Sequence, residues 1–320
     1  MRVAIICVVA MALLSMMALA KGGEEKKAEE SNVLDFDKLW DYGKPGETRV
    51  LFEEHLAKAD KAVDLSYYLQ LQTQIARTLG LQQMFDSAHV ILDEVESQLS
   101  DDLPLVKVRC LLERGRTLNS SGKKKESEPL FIESYELATK IGADFYAIDA
   151  AHMVAIVAES REDRMKWSLL GIDIAEKTSD KRARGWLGSI TNNVGWDYHD
   201  AGEYEDALKM FEKALAFREE SGKQKSINIA KWCVARAYRS LERYDEALEI
   251  QLALESFHKE AGDSDGYVWE ELGELYHVKK DDKATAYFAM AYEALSKINW
   301  LVESQPERIE RLKKLGKVEE

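Results

Sequence analysis

The stretch NNVGWDYH, Asn192 to His199, sets two asparagines, a tryptophan and a histidine side by side. An imidazole can ligate a metal or move a proton. An indole offers rigid contact area, and an amide can pair with exposed peptide backbone. The rest of the chain decides which of these chemistries matters. The other histidines are His55, His89, His152, His258 and His277. None of the six lies three to five residues from another histidine or a cysteine, the spacing that zinc sites use. There is no HExxH, no glycine-rich phosphate loop and no GxSxG elbow. Acid pairs such as Glu270-Glu271 and Asp281-Asp282 read as solvated faces in a chain with 58 acidic residues. The expectation is therefore no enzyme, no cofactor and no metal, with recognition as the remaining role.

Composition narrows the partner. The formal charge of −14 disfavours binding along a phosphate backbone, so no nucleic acid is expected, and it disfavours anionic membranes equally. Cys7 falls in the leader described next. That leaves Cys110 and Cys233, on separate helical patterns, as two buried thiols rather than a disulfide.

The elements that must position these residues are helices. The chain has 320 residues, of which 46% are apolar and only 4 are proline, so little interrupts a helix, and no long run of β-branched alternation suggests a sheet. Residues 1–20 read as a secretory signal: Arg2, the apolar run Val3 to Met17, then Ala18-Leu19-Ala20 before Lys21. An exported chain, periplasmic or secreted, follows, with no membrane span after cleavage; an uncleaved anchor is the competing reading. Residues 21–32 form a charged tether with no apolar face. Residues 33–62 are expected to cap the array that follows, and 297–320 to close it, with Ile309 and Leu312 facing inward.

Between the caps the chain repeats. A small residue is followed 12 positions later by another: Ala76 and Ala88, Gly115 and Ser127, Gly195 and Ala207, Ala235 and Ala247. Gly273 and Ala284 are 11 apart. Two antiparallel helices pack closely only where one side chain is tiny. Bulky residues stand three places after the first small residue (Leu79, Leu118, Tyr198, Tyr238, Tyr276) and four after the second (Leu92, Phe131, Phe211, Phe288). One weaker unit around His152 has an ambiguous register, and Gln251 stands where an aromatic is expected.

The segment WEELGELY, with Trp269, Leu272, Gly273 and Tyr276, resembles the signature of the tetratricopeptide repeat family. Gly195, Tyr198, Gly202, Tyr204, Ala207, Phe211 and Ala214 are similar to the rest of that repeat. The likeness covers roughly residues 65–295, with an interval near 40 instead of the usual ~34, similar to the stretched repeats of kinesin light chains and of many bacterial scaffold and regulator proteins. It implies an all-α solenoid of about six helical hairpins over 63–296, wound as a right-handed superhelix whose first helices line a concave groove. Carried onto this sequence, the groove residues are Arg77, Arg109, Arg116, Asn119, Asn192, Trp196, His199, Trp232, Arg236, Arg239, Tyr267, Glu270, Glu274 and His277. Asn192 with Arg236 and Arg239 is similar to the family's clamp for a peptide carboxylate. The lysine-asparagine arrangement of that clamp is not reproduced.

The expected function is a non-catalytic interaction scaffold that holds an extended peptide or partner protein in the groove. The alternatives are a sensor for a small acidic ligand or signalling peptide, and an envelope enzyme or enzyme subunit. Trp196 and Trp232 have a competing reading as packing between repeats. Arg236 and Arg239 have one as partners of Glu270 and Glu274, and His199 has one as a surface histidine at a helix end.

Overall fold

The structure is a computed structural model that describes residues 35–319; the signal-like segment and the charged tether lie outside the described residues. A short 3₁₀ turn, Phe36–Leu39, leads to α1 (Pro45–Lys58). Then come α2 (Leu65–Leu81), α3 (Phe85–Glu96), α4 (Pro104–Ser120) and α5 (Lys124–Lys140). They are followed by α6 (Asp144–Val157), α7 (Arg161–Lys177) and a single turn, α8 (Lys181–Arg184). The chain continues through α9 (Leu187–Asp200), α10 (Tyr204–Ser221), α11 (Gln224–Ser240) and α12 (Tyr244–Ala261). It ends with α13 (Gly266–Val278), α14 (Lys283–Leu295), α15 (Asn299–Ser304) and α16 (Pro306–Leu315). No strand occurs among the described residues.

The helix starts follow from local chemistry. Proline opens α1, α4 and α16, where its missing N–H costs nothing. The side chains of Asp64, Ser160 and Asp265 accept backbone N–H bonds at the starts of α2, α7 and α13.

Successive helices fold into hairpins, and the small-residue pattern is the reason. A Cβ added at Gly195 would lie 2.5 Å from the ring of Phe211, and one at Gly115 the same distance from Phe131. At Gly273 it would meet Phe288 at 2.8 Å. Each ring sits on the backbone of the facing helix, and all three are almost wholly buried.

The turns are as regular as the packing. Seven residues after the small residue, the chain enters the left-handed region at Gln83, Gly122, Gly202, Glu242 and Lys280. The next N–H reaches back five residues to a carbonyl: Met84 to Leu79, Lys123 to Leu118, Glu203 to Tyr198, Arg243 to Tyr238 and Asp281 to Tyr276, each at 2.9 Å. This is the Schellman ending of a helix. The α6–α7 hairpin departs from it. Ala158 there is extended, and Ser160 caps the next helix instead. The broken turn explains why this unit has no clear register in sequence. The stretched interval comes from the helices, since most of the repeat helices run 17 or 18 residues.

The core is a chain of linked clusters along the stack. At one end Phe52 of α1 joins Leu69, Ile75 and Leu92. At the other, Leu301, Ile309 and Leu312 close over Val268, Leu272 and Phe288. Cys110 and Cys233 are buried and unbonded, and desolvation pushes each thiol up to about 12. No helix among the described residues is long and apolar enough to cross a membrane.

Candidate peptide groove on the first-helix face

Most of the charges among the residues expected to line the groove are already used. One rule accounts for the pairing. The residue after the small position reaches the residue two before the small position of the next hairpin. Arg77 meets Glu113 at 3.3 Å. Arg116 meets Asp149 at 2.5 Å, and also its own Glu113 at 2.8 Å. Arg236 approaches Glu271 at 3.4 Å, and Arg239 binds the same carboxylate through two nitrogens at 2.7 and 2.9 Å. The Arg116–Asp149 bond fixes the ambiguous unit: Asp149 lies two before Ala151, so Ala151 holds its small position.

The acids of these pairs are buried and the arginines are half-buried. Burial alone would raise the Asp149 carboxyl, but Arg116 and Arg77 outweigh it and hold it below the ordinary value. Desolvation depresses Arg236, opposed by Glu271. Truncating one member of such a pair strands the other charge.

The acids of the last hairpin are also occupied. Glu270 is gripped by Arg308, and Glu274 by Arg311, both from α16. Arg236 and Arg239 therefore pair with Glu271, while Glu270 and Glu274 hold the carboxyl-terminal helix. Glu270 is not a free groove acid. His199 is corrected too. It is 8% exposed, with Nε2 2.9 Å from the Ser240 hydroxyl, so it is packing between hairpins. Desolvation, then Arg236, lowers its pKa. Asn119 lies beside Arg77, Arg116 and Met153 in a hollow of about 230 Å³. His277 is exposed.

The rung that starts at Trp196 carries no charge. Trp196 takes the place of the arginine, and Cys233 that of the acid; the Cys233 thiol donates to Asn192 Oδ1 at 3.4 Å. Trp196 stands 6.1 Å from Trp232, and Trp232 stands 6.3 Å from Tyr267. The Trp232 indole donates to the Tyr267 carbonyl at 3.2 Å. These three rings cross α9, α11 and α13 in a row and are partly exposed. Trp196 also packs on Phe211, so it serves the core and the face together.

The tetratricopeptide-repeat family pattern matches residues 187–221, the hairpin of α9 and α10. That hairpin is a tetratricopeptide repeat. Solved structures share the fold over most of the chain. The apo form of RapI matches with a TM-score of 0.67 at 14% identity, covering 82% of this chain and 76% of that one. BtubC from P. vanneervenii matches at 0.55 and 10% identity, over 72% of this chain and 94% of that one. A kinesin light chain repeat protein from Podosopora anserina matches at 0.50 and 17% identity, over 61% and 97%. No curated protein matches the sequence.

Two parts of this array of hairpins escaped the sequence reading. One is the grip of Arg308 and Arg311 on Glu270 and Glu274. The other is the segment Phe36–Tyr42, which lies across the first-helix face. Asp37 there binds Arg109 at 2.7 and 3.1 Å and Arg182 at 2.9 Å. The helix-pair pattern carries no signal for either. The ladder was legible in principle, as arginine one after the small residue and an acid two before the next.

Proposed function

We propose that the chain is a non-catalytic interaction scaffold that takes an extended peptide or partner segment along its first-helix face. The observation that carries this is the uncharged row Trp196–Trp232–Tyr267. It crosses three successive hairpins at a place where the flanking arginines, Arg236 and Arg239, are held by Glu271. Aromatic rings on rigid helices supply contact area at little entropic cost, which is how binding hot spots are built. Asn192 adds an amide beside the row, suited to peptide backbone.

The fold supports the reading, because stacked hairpins present an extended surface to a partner. Fold alone names no function, so the argument rests on the aromatic row. The site of action is proposed to be outside the cytoplasm, on the signal-like residues 1–20, and sequencing the amino terminus of the mature chain checks this.

The test of the scaffold is affinity capture from the native cell envelope, with wild type beside a Trp196→Ala/Trp232→Ala chain shown by circular dichroism to be folded. The scaffold reading expects specific partners to fall away from the variant. Equal recovery from both chains rejects the aromatic row as the binding surface.

A further inference from the structure

A piece of the chain itself already lies on the first-helix face at the amino-terminal end. Phe36 drops into the core against Tyr67 and Phe52, with ring centres 5.3 and 6.2 Å away. The Trp40 indole donates to Gln74 of α2 at 3.0 Å. Arg77 covers the Trp40 and Tyr42 rings at 5.5 and 5.2 Å. Between these anchors, the Asp37 carboxylate sits in a cradle from three other helices: Arg109 of α4, Arg182 of α8 and the Tyr146 hydroxyl of α6, which donates at 3.4 Å. Arg109 also donates to the Tyr146 oxygen at 2.5 Å, which fixes the cradle's shape.

The cradle is built for a carboxylate. Arg109 is 3% exposed and offers its planar fork to both oxygens. Among the described residues, no acid other than Asp37 forms an ion pair with Arg109 or Arg182. The strap leaves part of the face unfilled. A cavity of about 410 Å³ remains, walled by Trp40, Arg77, Glu113, Phe145, Asp149 and Trp186. Around it, Nε of Arg77, Nε of Arg109, Nε1 of Trp186 and Oε2 of Glu113 are buried without a hydrogen-bond partner. The cavity lies directly beside the cradle, since Asp37, Arg109, Tyr146 and Arg182 line it as well.

We propose that the strap holds the place of a partner. The Arg109–Arg182–Tyr146 cradle is a docking site for an extended peptide bearing an acidic residue next to an aromatic one, as Asp37 follows Phe36. The strap Phe36–Trp40 competes with that peptide for the face. This rests on the reading that the first-helix face takes peptide, and it adds a second contact region on the amino-terminal hairpins.

The probe is a fluorescent synthetic peptide with the sequence of residues 34–43, LDFDKLWDYG, beside a copy in which the aspartate equivalent to Asp37 is asparagine. Each is titrated by anisotropy into the full-length wild type, into Asp37→Asn, and into Phe36→Ala/Trp40→Ala, which frees the strap but leaves the cradle intact. Near-ultraviolet circular dichroism establishes that each chain is folded. The expected result is at least tenfold tighter binding of the acidic peptide to the folded strap variants than to wild type, and at least tenfold weaker binding of the asparagine copy. Equal binding of the two peptides, or none by a folded Phe36→Ala/Trp40→Ala chain, overturns the proposal. A wild-type dimer by light scattering that Asp37→Asn dissolves also overturns it, in favour of straps exchanged between copies. Peptide binding with partner recovery unchanged in the Trp196→Ala/Trp232→Ala chain would uphold the cradle and remove the aromatic row. The opposite pair of results would remove the cradle alone.

Discussion

Gly195 lies against the ring of Phe211 so closely that an added Cβ would sit 2.5, 2.6 and 3.1 Å from three ring carbons. The ring is fully buried and has no room to retreat. The chain keeps the contact balanced in its other hairpins. Gly115 faces Phe131 and Gly273 faces Phe288, whereas Ala76 shares its cluster with Leu92. A methyl group on one helix goes with a smaller side chain on the other.

Gly195→Ala is therefore expected to destabilise the fold. Alanine gains about 1 kcal/mol of helix propensity, but overpacking a closed site costs roughly 1–3 kcal/mol, and the rigid ring puts this site at the upper end. Phe211→Leu should rescue it, since the pair then matches Ala76 and Leu92. Urea melts of the four chains give the coupling energy. A coupling near zero would mean that the two residues do not share one constraint.

Gln251 occupies the aromatic place in the hairpin of Ala235, and it is fully buried with both amide atoms unpartnered. Gln251→Leu removes a buried polar group of roughly 1–3 kcal/mol penalty at similar volume and should raise the melting temperature. Gln251→Phe should lower it, because Ala235 already carries the methyl that a ring cannot pass. A stabilised phenylalanine variant would show that the pairing rule fails in this hairpin.

Glu242 and Gly202 hold the same left-handed turn position, at φ of 59° and 77°. Left-handed backbone costs a side-chain-bearing residue roughly 1–2 kcal/mol, against about 0.5–1 kcal/mol for the extra entropy of glycine. Glu242→Gly should thus stabilise the fold slightly, and Gly202→Ala should destabilise it. Differential scanning calorimetry of the two variants should give melting shifts of opposite sign; shifts of one sign would refute the equivalence of the turns.

Acid should loosen the amino-terminal half first. Burial pushes the Asp37 carboxyl up, but Arg109 and Arg182 prevail and hold it below the ordinary value; Asp149 behaves alike under Arg116. The unfolded chain then takes up these protons at higher pH than the folded one. Their contribution is complete above the unfolded aspartate pKa of about 3.9 and is lost as pH falls through the lower folded values. Hydrogen exchange between pH 5 and 3, corrected for intrinsic rates, should show protection lost in α4 and α6 before α9 and α10. Uniform loss would argue against local control by these pairs.

The hairpins were legible because their signal is local. A small residue, a partner 12 positions on and a turn between them lie within two helices, so spacing alone reports the contact. The α6–α7 unit was obscure because its turn uses the Ser160 cap in place of a left-handed residue. The face was legible in position but not in charge. Arg77, Arg116, Arg236 and Arg239 are where the repeat puts them, yet whether an arginine is free depends on what the next hairpin presents.

The sequence by itself determined the all-helical solenoid, its small-to-large packing and the positions of Arg77, Arg116, Trp196 and Arg236 next to the small residues, because each depends on a helical period that a short window contains. Only the tertiary structure decided that Glu271 takes Arg236 and Arg239, that α16 holds Glu270 and Glu274, and that Asp37 closes on Arg109 and Arg182. The last two contacts join residues 72 and 145 positions apart. Their meeting is set by the rise and turn of the stacked hairpins, which no local pattern encodes.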